Sequence, residues 1–324
     1  MRSFFGGARG FSASPPPAES VDPTRVELYT YWGRQLFWRD IRDQVLEDGT
    51  RLSGEDRQTL AELSTGVTWV QRVPDPLWWS YRTRFWALRD VPADDEDEIS
   101  RDVLRTVRGE TKGTGLFLDF CESEKGRLAL SIHRILNAAA RVDAMGYCQG
   151  QNYVVDVLLK AGVEEEDAFC LFLYSLRQRH LCGMFRSEVP ILTEYMDTLE
   201  HCLHVHAPRL AHHFKANLYT APLYSIEWLT TAFALAAKPA LTLAVLDLFF
   251  SGTKDVLLRV SLAVLVCMEQ ELLDMDQEAL LRDFRSVALD ADEKEVIALA
   301  LAMGPLFTPP PPPPEPRGGG SPGH

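Results

Sequence analysis

The sequence is short of several things at once, and each shortage narrows the field. Lysine and arginine number 33 against 46 aspartates and glutamates, giving a formal charge of −13 and a pI near 5.1. A general nucleic-acid binder needs a basic footprint to release counterions, so no nucleic-acid partner is expected. The same deficit disfavours adsorption to anionic lipid and leaves only peripheral membrane association, through partners. No stretch reaches the roughly 20 uncharged apolar residues of a membrane span. The richest, 221–250, is interrupted by Glu227, Lys238, Pro239 and Asp247. The six cysteines, at 121, 148, 170, 182, 202 and 267, form no Cys-x-x-Cys pair and lie mostly in apolar runs. That usage predicts a reduced, cytoplasmic protein with packed thiols. Gly-x-Ser-x-Gly is absent, and Asp119, Cys121 and Ser131 make no nucleophile arrangement. Among His201, Cys202, His204, His206, His212 and His213, Cys202 and His206 have an i,i+4 spacing. Pro208 soon follows and no second pair completes a zinc set, so no metal site is expected.

What is present begins with two low-complexity ends. Residues 1–23 are rich in Gly, Pro and Ser, and 309–324 contain six consecutive prolines. Neither end can bury enough apolar surface to fold, so a disordered leader and a disordered tail are expected. Arg2 and Arg9, with no acid in the first 18 residues, leave a targeting peptide as the alternative for the leader. The proline run should be polyproline II, acting as a spacer or, alternatively, as a ligand for a proline-recognition domain at 309–316.

Between the ends the periodicity is helical almost throughout. Residues 26–47 and 53–63 read as two leading helices, an N-terminal extension spanning 24–66. Leu128, Ile132, Ile135, Leu136, Ala139 and Val142 share one helix face, as do Ile191, Leu192, Tyr195, Met196, Leu199 and Leu203. A helix from Asp167 to Arg179 follows the acids at 164–167, which suit a helix N-terminus. Pro222 and Pro239 sit where they can open helices, because a missing N–H costs least there. Thr253–Asp274, Gln277–Ala288 and 293–303 complete the set, the last within a short tail, 291–308. No period-2 strand pair or Asn-Gly hairpin appears. An all-α chain of 324 residues is the expectation.

Two stretches stand out from this packing pattern. Gly146-Tyr-Cys-Gln-Gly-Gln-Asn-Tyr153 lies at a junction of apolar helical runs, yet spends three amide side chains there. Its glycines let the backbone approach a neighbour closely, and Gln149 and Asn152 offer donors and acceptors. Upstream, Ile99, Asp102 and Arg105 recur at i, i+3 and i+6 on one helix face. In isolation this is an apolar anchor beside an exposed ion pair. The sharper reading is that Asp102 holds Arg105 in one rotamer, with a planar fork suited to phosphate oxygens. The acids at 94–98 read as a solvated cluster at that helix's N-terminus. His133, among apolar neighbours, reads as a partly buried helix residue rather than a base.

Ile99-x-x-Asp-x-x-Arg105 followed by Tyr147-x-Gln-Gly150 resembles the TBC domain of Rab GTPase-activating proteins. Arg82-Thr-Arg-Phe-Trp86, preceded by Val73-Pro74, resembles that family's first motif. Ser225-Ile-Glu-Trp-Leu229 and Leu246-Asp-Leu-Phe249 look like two later helices, so the likeness covers about 67–290. Two positions depart: Gln151 stands where the family usually has Met, and Leu246 where it often has Trp.

The resemblance implies a multi-helix domain that stimulates GTP hydrolysis by a Rab-family small GTPase. Arg105 would be an arginine finger, and Gln149 a glutamine finger orienting the attacking water. Asp102 and Ile99 would position Arg105, Tyr147 and Gly150 would shape the loop bearing Gln149, and Arg82 and Trp86 would be structural or lie at the edge of the Rab groove. No cofactor of its own is implied, since GTP and Mg²⁺ arrive with the partner. Recruitment to endomembranes would go through that partner. The alternatives are a TBC-like scaffold that binds a GTPase without accelerating hydrolysis, and an adaptor that only displays the proline tail.

Overall fold

A computed structural model describes residues 31–66, 69–108, 124–142, 146–178, 181–184 and 191–306. The expected leader, the proline tail, Asp119 and Cys121 lie outside them. Among the described residues the chain forms fifteen α-helices, two short 3₁₀ turns and no strand. In order, α1 is Tyr31–Glu47, α2 Gly54–Thr65, α3 Asp75–Leu88, α4 Glu96–Arg108 and α5 Glu124–Val142. Then come α6 (Gln151–Lys160), α7 (Glu165–Gln178), α8 (Ile191–His206), α9 (Pro208–Ala216) and α10 (Ala221–Thr230). The last five are α11 (Pro239–Ser251), α12 (Val256–Cys267), α13 (Glu269–Leu273), α14 (Gln277–Asp290) and α15 (Glu293–Met303). The fold is all-α, as the periodicity predicts.

Helix ends follow their local chemistry. Ser53 caps α2, accepting the Asp56 N–H at 3.0 Å, while Asp276 and Asp292 cap α14 and α15. Pro222 and Pro239 fall in the first turns of α10 and α11. One expectation fails: Thr253–Asp274 is not a single helix. Gly252 closes α11 with a left-handed residue, and Asp255 is left-handed as well (φ 53°), so α12 begins only at Val256. Met268 interrupts it again, and α13 is a separate five-residue piece.

Packing divides the helices into two neighbourhoods sharing one core. In the first, α5 packs on α4, α6 and α7, and α3 packs on α5 and α7. In the second, α11 and α12 are buried on every side and are sheathed by α8, α10 and α15. The leading helices and the last helix belong to this second group. α15 buries Val296, Ile297, Ala300 and Leu301 against α12, α11 and α1. Asp247 of α11 is buried and accepts from the Trp38 indole at 2.7 Å, the Trp69 indole at 2.5 Å and the Arg34 guanidinium. Arg34 lies over the Trp69 ring, 4.2 Å from its centroid. A buried carboxylate with three donors is thus what α1 grips on the core.

No helix among the described residues is long and apolar enough to cross a membrane.

Candidate functional site

The site is built where α4 meets the loop that starts α6. α4 turns Ile99, Val103 and Val107 into the core, with Ile99 fully buried, and its first turn carries Glu96, Asp97 and Glu98. Asp102 lies on the same inward side and is buried, yet it is not left unpartnered. Its Oδ1 accepts from Arg105 Nη1 at 3.0 Å and its Oδ2 from the Tyr147 hydroxyl at 3.0 Å. Arg105 itself is 69% exposed. With its guanidinium this exposed, the i,i+3 pair contributes only a few tenths of a kcal/mol to the helix. The arrangement orients the guanidinium more than it stabilises the fold.

The Tyr147 hydroxyl reaches Asp102 Oδ2 at 3.0 Å and Asn152 Oδ1 at 3.1 Å, and donates its one O–H to either acceptor. Burial first, then the Asp102 charge, pushes the phenol far above its ordinary range, so it remains a donor at any working pH. The Tyr147 backbone N–H donates to Asp95 Oδ2 at 2.8 Å. One member of the acid run at 94–98 therefore holds the loop rather than only being solvated. The next control is Asn152, buried in the first turn of α6. Its Oδ1 accepts the Gly150 N–H at 3.0 Å while its Nδ2 donates to Thr106 Oγ1 at 2.6 Å. Thr106 in turn donates to the Asp102 carbonyl at 2.8 Å. A closed circuit from α4 through Tyr147 and Asn152 back to α4 fixes the loop from both ends.

The loop's glycines are conformational necessities. Gly146 has φ +72°, and a Cβ there would stand 2.7 Å from Asp95 Oδ2, the atom that receives Tyr147. Gly150 has φ +109° and opens α6. Gly146→Ala is expected to cost about 1–2 kcal/mol from the left-handed backbone alone. Displacement of Asp95 adds to that. Urea denaturation would show the loss; an unchanged midpoint would mean the loop can relax without its Asp95 anchor.

Glutamines flank Gly150 on both sides and have opposite fates. Gln149 is exposed, whereas Gln151 is 1% exposed in α6 and its Nε2 finds no acceptor. Only Gln149 can meet a partner. An unpartnered buried amide costs on the order of 1–3 kcal/mol, and Met has a similar volume without the polar group. Gln151→Met is therefore expected to raise the melting midpoint by ~2–4 °C per kcal/mol recovered. Calorimetry that shows a lower midpoint would mean Gln151 has a hydrogen bond worth keeping.

Arg82 and Trp86 sit apart from this circuit, on α3. Arg82 pairs with Glu166 Oε1 at 2.7 Å and the Trp86 indole donates to Glu166 Oε2 at 2.7 Å. One carboxylate of α7 is thus clamped by two residues one turn apart. Their role in this geometry is to join α3 to α7. His133 is half-buried and lies 3.2 Å from Ser100 Oγ. Among the described residues no three His, Cys, Asp or Glu side chains converge as a metal site.

Sequence reasoning missed Asp95, Thr106 and the inward role of Asn152. Asn152 was visible as an excess amide beside Gly150, but its partners come from α4 and carry no local signal.

The fold has counterparts among known proteins. Two solved structures share the fold: the Chlamydomonas flagellar RabGAP TBC domain (TM-score 0.56, 19% identity, covering 87% of this chain and 85% of that one). The second is the Ypt/Rab-GAP domain of Gyp1p (TM-score 0.52, 12% identity, covering 86% and 90%). A family profile described as the Rab-GTPase-TBC domain matches residues 86–273, more than half of the chain. The chain belongs to the RabGAP-TBC family. Relatives include the human ecotropic viral integration site 5 protein homolog, 29% identical over 89% of this chain and 35% of the relative. The Caenorhabditis elegans Rab GTPase-activating protein tbc-11 is 27% identical over 60% of this chain and 20% of the relative. The chain therefore spans about a third or less of the length of these relatives.

Proposed function

We propose that the chain is a GTPase-activating protein for a Rab-family small GTPase, with Arg105 and Gln149 supplied in trans. The observation that carries this reading is the pairing of exposures: two polar side chains project outward from a circuit whose other members are turned inward. Phosphoryl transfer needs little covalent chemistry from a protein, so a positioned cation and a positioned amide can supply most of the missing catalysis. Arg105 neutralises charge developing on the transferred phosphoryl group, and Gln149 orients the attacking water. Asp102, held by Tyr147 and seated by Ile99, keeps Arg105 aimed; Gly150 and Asn152 keep Gln149 outward. GTP and Mg²⁺ come bound to the partner, and the protein needs no cofactor of its own. It works from the cytoplasm and reaches endomembranes through its partner, with the prolines at 309–316 as a separate contact for a proline-recognition domain.

The test is Gln149→Ala measured beside Gln151→Ala. Gln149→Ala should reduce stimulated hydrolysis at saturating partner by ~10² or more, the scale of losing one transition-state donor. Its melting midpoint should stay within about 1 °C, because an exposed substitution changes stability little. Full stimulation by Gln149→Ala would remove that residue from the mechanism. Binding of a GTP-loaded Rab without acceleration by the wild type would favour the scaffold.

A further inference from the structure

Stretches far apart in the chain wall one polar cavity of about 370 Å³: α2, the 3₁₀ turn Val70–Arg72, the turn from Ser251 to Lys254, Arg259 of α12, and Pro305 after α15. That volume lies within the range of small-molecule sites. The charges on its wall are closed among themselves. Arg72 Nη1 meets Glu62 Oε2 at 2.7 Å, Lys254 Nζ lies 2.9 Å from Glu55 Oε2, and Arg259 takes both Asp56 oxygens, at 3.1 and 3.0 Å. The second oxygen of Glu62 accepts from Gln58 at 2.9 Å, and the Gln58 and Arg72 bonds hold its carboxyl below the ordinary range. Each acid on the wall therefore has its donor.

What the wall lacks is acceptors. Arg72 Nη2, Ser251 Oγ and Thr253 Oγ1 are buried and find no hydrogen-bond partner among the described residues. Native interiors rarely leave even one such group unmet, and here three belong to the lining of one cavity. Water is the simplest filler, but the free arm of Arg72 carries charge. A guanidinium N–H makes a stronger bond to an anionic oxygen than to a neutral one. Three separate donors outnumber the two oxygens of a carboxylate and suit the terminal oxygens of a phosphate. Both hydroxyls turn on single bonds, so rotation between staggered positions carries them toward an occupant. Lys254, 60% exposed, keeps a further N–H to offer while paired with Glu55.

We infer that this cavity is a binding site for a small phosphate-bearing molecule, whose phosphate oxygens accept from Arg72, Ser251 and Thr253. Arg72 repeats the arrangement of Arg105, with one nitrogen tied to a carboxylate and the other left for a phosphate oxygen, but in a buried setting. No part of the wall comes from α4, the Tyr147 loop or α6, so the inference stands apart from the proposed GTPase-activating role. An occupant bridges α2, the 3₁₀ turn and the turn between α11 and α12. It therefore stabilises the fold in step with its binding.

The experiment follows the melting midpoint of the full chain in chloride, in inorganic phosphate and in glycerol 3-phosphate, at matched ionic strength. It compares wild type with Ser251→Ala/Thr253→Val, which removes two unmet hydroxyls at little change in size, and with Arg72→Lys, which keeps the charge but not the second arm. In chloride the double variant should melt at least as high as wild type, because it loses two unpaired buried groups. A lower midpoint would show that the hydroxyls are already bonded and would overturn the inference. In one or both phosphates wild type should rise by ~2 °C or more, and each variant by less than half as much. General stabilisation by an excluded anion raises all three chains alike. A parallel arm sediments each chain with neutral vesicles and with vesicles containing phosphatidic acid. Capture of wild type by the acidic vesicles alone, lost in the double variant and without a shift from the soluble probes, keeps the site and makes a lipid headgroup its ligand. Equal shifts in all three chains, with no difference in vesicle capture, leave water as the occupant and overturn the inference.

Discussion

Arg105→Lys is expected to lose ~10²-fold or more of the stimulated rate, approaching the ~10³ to 10⁵ that an arginine finger is typically worth. The substitution keeps the positive charge, so simple electrostatics predicts a mild effect. Geometry predicts otherwise. Lysine has no planar fork, so it cannot grip Asp102 with one arm and offer the other nitrogen to a phosphoryl oxygen. In the present structure Nη1 is committed to Asp102 at 3.0 Å, and the side chain remains 69% exposed. A single ammonium has three donors on one nitrogen and cannot reproduce the spacing and plane of the two guanidinium arms. Rab binding should change little, because the missing interaction belongs to the transition state. Single-turnover hydrolysis at saturating partner separates the two accounts. A loss under about threefold would show that charge alone suffices.

The second large effect concerns stability. Arg259 of α12 is 1% exposed and forms a two-pronged pair with the buried Asp56 of α2, at 3.1 and 3.0 Å. It also donates to the carbonyls of Ala300 at 2.7 Å and Leu301 at 3.0 Å, at the end of α15. One side chain therefore joins α2, α12 and α15. Arg259→Leu leaves Asp56 buried without its partner and should cost ~3–5 kcal/mol. Against a total of roughly 5–15 kcal/mol, that threatens folding at 37 °C. Adding Asp56→Leu removes the stranded charge, so the double variant should recover part of the loss. Urea denaturation of both variants measures the coupling. A single variant as stable as wild type would mean that water reaches Asp56 and that this junction is not closed.

These two predictions differ in how far the sequence foretells them. The Ile99-x-x-Asp-x-x-Arg105 spacing is a local helical pattern, and so its face could be read directly. The Tyr147 loop likewise announces itself through glycines that need positive φ. The helices were legible from periodicity, and Pro222 and Pro239 from their place in a first turn. Nothing local, however, says that Asp56 pairs with a residue 203 positions away, or that Asp247 anchors Trp38 and Arg34. Asp56 looks like an ordinary acid in the first turn of α2. The break at Asp255 was hidden for a similar reason: its left-handed backbone is set by how α11 and α12 must turn, and the apolar run reads straight through it. Asp95 reads as one more solvated acid in the sequence, because its acceptor role depends on a loop 52 positions away.

The central claim is that two outward side chains, Arg105 and Gln149, accelerate hydrolysis of GTP held by a partner. Its most direct test is single-turnover GTP hydrolysis by a Rab panel with wild type, Arg105→Ala, Gln149→Ala and the double variant, each checked by circular dichroism. The account predicts that wild type accelerates one or a few Rabs. Each single variant should lose at least ~10²-fold while staying folded, and the double variant should fall little further, because the two groups act on one transition state. Acceleration that survives in the folded double variant would contradict the account and send the search for catalysis elsewhere on the chain.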